Sequence, residues 1–427
     1  MANAFSKEER VAFEDLLEGF QDALVLSRNV AIYNTDQTMM ERANNTIWRP
    51  MPYIAQSITS TPGSSIAASY QDMTQLSVPA TLGYSKTVPW TMTALDLRDA
   101  LQEGRLGDAA KQKLASDINV AIMNTAANYG SLVVDIGAAA GDYDDVALCD
   151  SIMNEQGVPD YDRFMALSSR DYNGLAGNLV GTARSFGNAK SDKAYERNYV
   201  GMVAGFESYK MDYANRLAAA AGGGSITIDT SGAGTQASYV PEATSTTVGG
   251  QINVDNRFQT VTVSSTTSVA AGDAFTIAGV YAVHHITKQN TGQLKTFRVV
   301  SVDSGTTMTI TPPIIGAQST PTDAELQYQN VDVTAPSNTA AITWLNANAA
   351  QVNVFWQRDA LEILPGRYAV PSDAGVAVMR ATTDQGIELV MQKWYDIDSM
   401  TIKYRLDTLF GVVCKNTEMA GILLFNQ

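Results

Sequence analysis

The residues able to do chemistry are few. The chain holds two histidines, His284 and His285, side by side. On a strand, adjacent side chains point to opposite faces, so this pair is not expected to chelate a metal jointly. Neither stands near a nucleophile motif that would complete a triad. Two cysteines, Cys149 and Cys414, are far apart in the sequence and make neither a disulfide framework nor a zinc site, so reduced thiols are expected. Asp142, Asp144 and Asp145 crowd together after Gly141. The glycine and the glutamate that a calcium loop requires at its sixth and twelfth places are missing, and a solvated helix cap is expected instead. Gly222, Gly223 and Gly224 are not followed by Gly-Lys-Ser/Thr, so no phosphate-cradling loop is expected. No carboxylate pair stands out as acid and base. The sequence predicts no catalytic residue, no metal and no cofactor, and the protein is not expected to be an enzyme.

The elements that would carry a site offer more. With 427 residues, 45% of them hydrophobic, the chain can bury a core and form two or three domains. Only 17% of residues are charged, against about 25% in ordinary soluble domains. This fits either a surface covered by partners or a large apolar core. The formal charge of -15 argues against a protein built to grip a phosphate backbone. Met1 to Arg10 lacks the apolar run of a secretory signal. No stretch of about 20 apolar residues predicts a membrane-spanning helix, so folding in the cytosol is expected.

Along the chain, Ser6 and Glu9 form a capping-box pattern. Phe13, Leu16, Leu17, Phe20 and Leu24 follow at helical spacing, a stripe that either packs on its own subunit or forms an arm against a neighbour. Residues 52–72 are rich in Ser and Thr, with Tyr53, Ile58, Ile66 and Tyr70 scattered through them and a Pro62-Gly63 turn signal. Such a segment reads as a long extended loop or a disordered insertion. Ala110, Leu114, Ile118, Ile122 and Ala126 predict a helix over 108–129, with Lys111, Lys113, Ser116, Asp117 and Asn119 off its apolar stripe and Gly130 as its stop. From Ser225 to about Asp332 the texture becomes β-rich: Thr260 to Ser264 reads as a strand, and Phe297 to Val302 with Thr306 to Thr311 as a hairpin. Ala340 to Ala350 reads as helix and Val352 to Trp356 as a buried strand. The β-rich segment therefore reads as a small barrel or sandwich inserted into a discontinuous α+β domain. Two function classes stand at this point: a structural assembly subunit, and a receptor- or glycan-binding structural protein with a β-sandwich recognition module.

Asn253-Val254-Asp255-Asn256-Arg257-Phe258 and Thr260-Val261-Thr262 tip the balance. With Gly272-Asp273, Ala278-Gly279-Val280 and Thr309-Ile310-Thr311-Pro312, this stretch resembles the major capsid (coat) protein family of the short-tailed Salmonella phage P-22 group. Collinear blocks extend the likeness: Asn44 to Trp48 with Pro50, Asp96-Leu97-Arg98-Asp99, Gly130 to Val133, Val203 to Phe206 and Asn353 to Trp356. The last seventy or so residues resemble the family weakly. The resemblance implies an α+β Hong Kong 97-type capsid fold with an inserted all-β barrel. It implies an N-arm at 1–40 and a peripheral domain at 41–130, with an E-loop at 52–72 that laps a neighbour and a spine helix at 108–129. An axial domain follows at 131–222, the inserted barrel at 223–344, and the axial remainder with the return to the peripheral domain at 345–427. The implied function is self-assembly of an icosahedral procapsid and mature head enclosing double-stranded DNA without specific binding. The implied partners are the protein itself, in hexamers and pentamers, a scaffolding protein and a portal protein, with assembly in host cytoplasm and no membrane. Expected contact residues are Phe13, Leu16, Phe20, Tyr53, Ile58, Ile66 and Tyr70, Arg98 and Arg105 beside the helix, and Thr246, Gly249 and Gln251 in the loop before Asn253. In the family that loop reaches an adjacent capsomer through charges; residues 243–252 here carry none.

Overall fold

A computed structural model describes residues 7–33, 46–52, 54–55, 57, 60–67, 70–93, 100–182, 189–220, 226–230, 239–245, 252–370 and 375–425. The chain divides into two compact units, one of residues 1–47, 79–122 and 361–413, the other of 48–78, 123–360 and 414–427.

In the first unit a helix, Lys7–Ala23, buries Phe13, Leu16 and Phe20. Ser6 lies outside the described residues. The capping box expected of Ser6 and Glu9 therefore falls outside the described residues; Glu9 accepts from Lys393 Nζ and, at 3.3 Å, from the Tyr404 hydroxyl. A second helix begins at Ala100 and runs to Tyr129, eight residues longer at its start than the sequence predicts. All five stripe residues, Ala110, Leu114, Ile118, Ile122 and Ala126, are buried, and so are Ala115 and Met123 beside them. Asn119, expected on the polar side, is buried too. Its Nδ2 donates to the Ala23 carbonyl at 3.2 Å and its Oδ1 accepts from the Leu26 amide at 3.2 Å. It thereby satisfies main-chain groups that the end of the first helix leaves open. The unit's sheet runs in the order Ala31–Ile32, Leu361–Pro365, Thr401–Cys414, Glu388–Asp396 and Ala377–Thr382, with Tyr84–Thr93 also paired to Thr401–Cys414. Tyr84 stacks on Phe410 at 5.2 Å and Trp90 on Tyr404 at 5.5 Å. Both are cross-strand pairs in register, which is what fixes one alignment over its neighbours.

Two larger sheets lie in the second unit. One follows the order Leu132–Asp135, Ala420–Leu424, Ala350–Gln357, Arg163–Ser168, Phe206–Met211 and Met202–Val203. Its core joins Met165, Leu167, Phe206, Phe355 and Leu423 to Cys149 and Met153 of the helix Tyr143–Glu155. At the start of that helix the Asp145 carboxylate accepts from the amides of Gly141 and Asp142, so the acidic cluster is a helix cap as expected. Gly421 lies between Leu132 and Phe355. A Cβ there would sit 2.5 Å from the Leu132 carbonyl oxygen. Gly421→Ala is expected to destabilise by about 1–3 kcal/mol through overpacking; an unchanged urea midpoint would refute the close packing.

The other sheet runs Gln259–Thr262, Thr307–Thr311, Asn290–Val302, Ala274–Val283 and Ile342–Trp344 around a core of Val261, Phe275, Ile277, Phe297, Val299, Met308 and Ile310. The expected hairpin forms, with Val302 opposite Met308. Two expectations fail. Ala340 to Ala350 is not helical: Ile342 pairs with Ile277 and its amide donates to the Ile226 carbonyl, so sheet pairing overrides alanine's helical preference. The segment also contains a helix, Asp323–Tyr328, whose Thr322-x-x-Glu325 capping box is legible in the sequence. The incoming and outgoing strands of the segment pair with each other: Ile228 donates to the Ala340 carbonyl and Thr339 to the Ile228 carbonyl, each at 2.9 Å.

Candidate functional site

Among the described residues no catalytic geometry emerges. Cys149 and Cys414 are buried free thiols; burial pushes both pKa values up, Cys414 to about 12, so neither is a ready nucleophile at neutral pH. Among the described residues no group of three or more His, Cys, Asp and Glu could hold a metal, and no helix is long and apolar enough to cross a membrane. His284 and His285 sit in the turn after the strand Ala274–Val283 rather than on a strand. The His284 Nδ1 accepts from the amides of Ile286 and Thr287, each at 3.2 Å, a turn-forming role.

His285 belongs to a buried ionic cluster drawn from four separate stretches of the second unit. Lys295, 1% exposed, pairs with the Glu418 carboxylate and donates to Gln156 Oε1 at 2.8 Å. Asn330 Nδ2 donates to Glu418 Oε1 at 3.1 Å. The His285 amide donates to the Gln156 carbonyl at 3.2 Å, and its Nε2 lies 3.4 Å from Glu418 Oε2 without hydrogen-bond geometry. Burial, reinforced by Lys295, Lys288 and His284 and opposed by Glu418, lowers the His285 pKa to about 4. Burial alone would raise Glu418, but the Lys295 ammonium holds it below the usual carboxylate range. Nearby, Arg298 donates to the carbonyls of Gly272 and Gly130, at 3.0 and 3.4 Å, and Thr296 to that of Ser131 at 2.8 Å. The Gly130 amide donates to the Ala126 carbonyl at 2.9 Å and closes the long helix, so a cation on the Gly130 carbonyl sits near the negative end of its dipole. This cluster is structural chemistry: it fastens segments together and offers no open reactive position.

The surface carries the more telling features. Residues 70–76 form the return limb of the Ser/Thr-rich loop. Asp72 and Thr74 are hydrogen-bonded to the helix Asp323–Tyr328, and Leu76 is buried against Ile315 and Tyr328. On the same limb Tyr70 is 80% and Met73 65% exposed. In the first unit the strands Glu388–Asp396 and Thr401–Cys414 form a hairpin in which Asp396 pairs with Thr401. The tip exposes Trp394, Ile397 and Met400, Ile397 by 78%. Lys403 donates to Asp396 at 3.1 Å across the turn. Large apolar side chains gathered at a protruding tip mark contact surfaces.

Of the expected contact residues, Ile66 and Tyr70 are exposed, whereas Phe13, Leu16 and Phe20 are buried within their own unit. Tyr53, Ile58, Arg98, Thr246, Gly249 and Gln251 lie outside the described residues, and Arg105 lies on the long helix with its side chain undescribed. The hairpin tip was missed. Its signal was available, since Asp396-Ile397-Asp398-Ser399 separates two alternating β-prone runs. The ionic cluster left no signal, because its members are scattered over Gln156, His285, Lys295, Asn330 and Glu418.

The profile of the family described as P22 coat protein, gene protein 5, matches residues 1–426. The chain belongs to the P22 coat protein family. It is a major capsid protein, a subunit of a phage shell. Among solved structures, the coat protein is similar to one from Mycobacterium phage Che8, at 10% identity over 93% of this chain and 90% of that one, with a TM-score of 0.44. It is also similar to the capsid of Cyanophage P-SCSP1u, at 10% identity over 93% of this chain and 86% of that one, with a TM-score of 0.44. The CUS-3 coat protein I-domain matches at 43% identity over 29% of this chain and 97% of that chain, with a TM-score of 0.23.

Proposed function

We propose that this coat protein self-assembles, as hexamers and pentamers, into an icosahedral procapsid and mature head around double-stranded DNA, with no catalytic role. A scaffolding protein and a portal protein are its partners, and assembly takes place in host cytoplasm. The β-rich segment 223–344 serves as an inserted barrel domain, a reading supported by the mutual pairing of its incoming and outgoing strands at Ile228, Thr339 and Ala340. The single observation that carries the assembly reading is the exposure of Tyr70 and Met73 on the loop limb and of Trp394, Ile397 and Met400 on the hairpin tip. Each such side chain, once covered by a neighbour, contributes about 1.5–3 kcal/mol. Contacts of that size are individually weak, so a subunit joined to several neighbours is held by their sum while single contacts can still be corrected. The net charge of -15 disfavours adhesion to packaged DNA.

Deletion of residues 56–68 tests the reading. The shortened chain is expected to fold, with a circular dichroism spectrum and thermal transition close to those of the full chain. It is also expected to give no closed particles by negative-stain microscopy. Normal particles from the shortened chain would refute the role assigned to the loop.

A further inference from the structure

The loop limb is gripped through its backbone. The side chain of Gln327, 1% exposed, meets it on two sides: Oε1 accepts from the Thr74 amide at 3.3 Å, and Nε2 donates to the Asp72 carbonyl at 2.8 Å. On extended chain the N–H and C=O groups of residues i and i+2 face the same side. One side-chain amide can therefore replace a rung of β pairing. The remaining groups on that side are also satisfied, since Asp323 Oδ2 accepts from the Asp72 amide at 2.7 Å and the Tyr328 hydroxyl donates to the Thr74 carbonyl at 3.1 Å. The helix that supplies these three side chains is braced from behind. Lys288 Nζ donates to the carbonyls of Gln327 and Gln329, at 2.8 and 3.1 Å, and Asn330 ties the helix's end to Pro313 and Glu418. The hydrogen-bonding edge of residues 72 and 74 is thus occupied, while Tyr70 and Met73 point into solvent.

We propose that Gln327 is a positioning residue for assembly: with Asp323 and Tyr328 it clamps residues 72–74 in extended form and presents Tyr70 and Met73 as a preset apolar contact for a second copy of this chain. The proposal rests on the shell-subunit reading above. The occupant is another copy because the family builds shells from coat subunits. A limb already ordered in the free subunit loses less conformational entropy when the contact forms.

Hydrogen exchange of the free subunit, read by mass spectrometry on peptides covering 70–77, tests the clamp without reference to assembly. Gln327→Leu keeps the volume and removes both hydrogen bonds. It is expected to raise exchange at 72–74 about tenfold, to leave the thermal transition nearly in place, and to lower the yield of closed particles severalfold. Tyr70→Ala with Met73→Ala is expected to lower the yield equally and leave exchange at 72–74 unchanged. Unaltered exchange in Gln327→Leu overturns the clamp. Faster exchange with a full yield of particles overturns its role in assembly, and a full yield from the Tyr70 and Met73 double variant overturns the contact. Should Gln327→Leu fail to fold, Asp323→Ala, at the more exposed end of the clamp, carries the same readouts. Failure of the unaltered chain to form particles would instead count against the shell reading itself.

Discussion

Lys295→Met is expected to destabilise the coat protein by about 3–5 kcal/mol. The ammonium of Lys295 is 1% exposed and lies between the Glu418 carboxylate and Gln156 Oε1. Methionine fills nearly the same space, so the loss is not one of packing. What remains is a largely buried carboxylate whose closest described donor is Asn330, with the neutral imidazole of His285 on its other oxygen. Removing a charge from water is tolerable only while a counter-charge faces it. Adding Glu418→Gln to Lys295→Met is therefore expected to restore most of the stability, because the amide still accepts from Asn330 and carries no charge. The interaction energy from the double-mutant cycle should be large for residues in direct contact. Lys113→Met gives the contrast: its partner Asp117 lies one helical turn away, the lysine is 64% exposed, and a change of about 0.5 kcal/mol or less is expected. Urea unfolding at pH 7 measures the parent chain, Lys295→Met, Glu418→Gln, their double variant and Lys113→Met. A Lys295→Met loss as small as that of Lys113→Met would show that the cluster is wetter and weaker than its geometry indicates.

The long helix was legible because Ala110, Leu114, Ile118, Ile122 and Ala126 repeat at the helical period and Gly130 ends the run. The helix Asp323–Tyr328 was equally legible in its Thr-x-x-Glu cap but was lost inside a β-rich stretch. Residues 340–350 misled for the opposite reason. Alanine favours helix locally, yet Ile342 is held by Ile277 and by the Ile226 carbonyl, and nonlocal pairing outweighs a propensity of a few tenths of a kcal/mol per residue. Asn119 was read as a surface residue because polarity and periodicity agree on an isolated helix. In the fold it serves main-chain groups of a helix almost a hundred positions away, which no window of sequence reveals. The same holds for the clamp on Asp72 and Thr74, whose partners are some 250 residues distant. Chemistry made by long-range closure is written in the fold, while chemistry made by local spacing is written in the sequence.

Stability is expected to fall by about 3 kcal/mol as pH drops from 6.5 to 4, with His285 as the source. In the unfolded chain this imidazole takes up a proton as pH falls through 6.5; in the folded protein burial delays protonation to about 4. Between those values the unfolded state binds more protons than the native one, so stability rises with pH, with a slope of about 1.4 kcal/mol per unit, and the contribution is complete only above 6.5. Glu418 acts lower on the scale. Its folded pKa lies below 4.5, so its contribution is present above 4.5 and is lost as pH falls through the folded value. The upper part of the acid transition therefore belongs to His285 and the lower part is shared. Of the groups facing the imidazole, Lys288 is lowered by burial only to about 8 and so stays charged across this range. His285→Phe keeps a ring in the site and leaves the main-chain hydrogen bond to Gln156 in place. It is expected to flatten the stability profile between pH 6.5 and 4.5 and to leave the steep loss below 4.5. Unfolding free energies measured at half-unit intervals separate the two chains, and identical slopes above pH 4.5 would place the titrating group elsewhere.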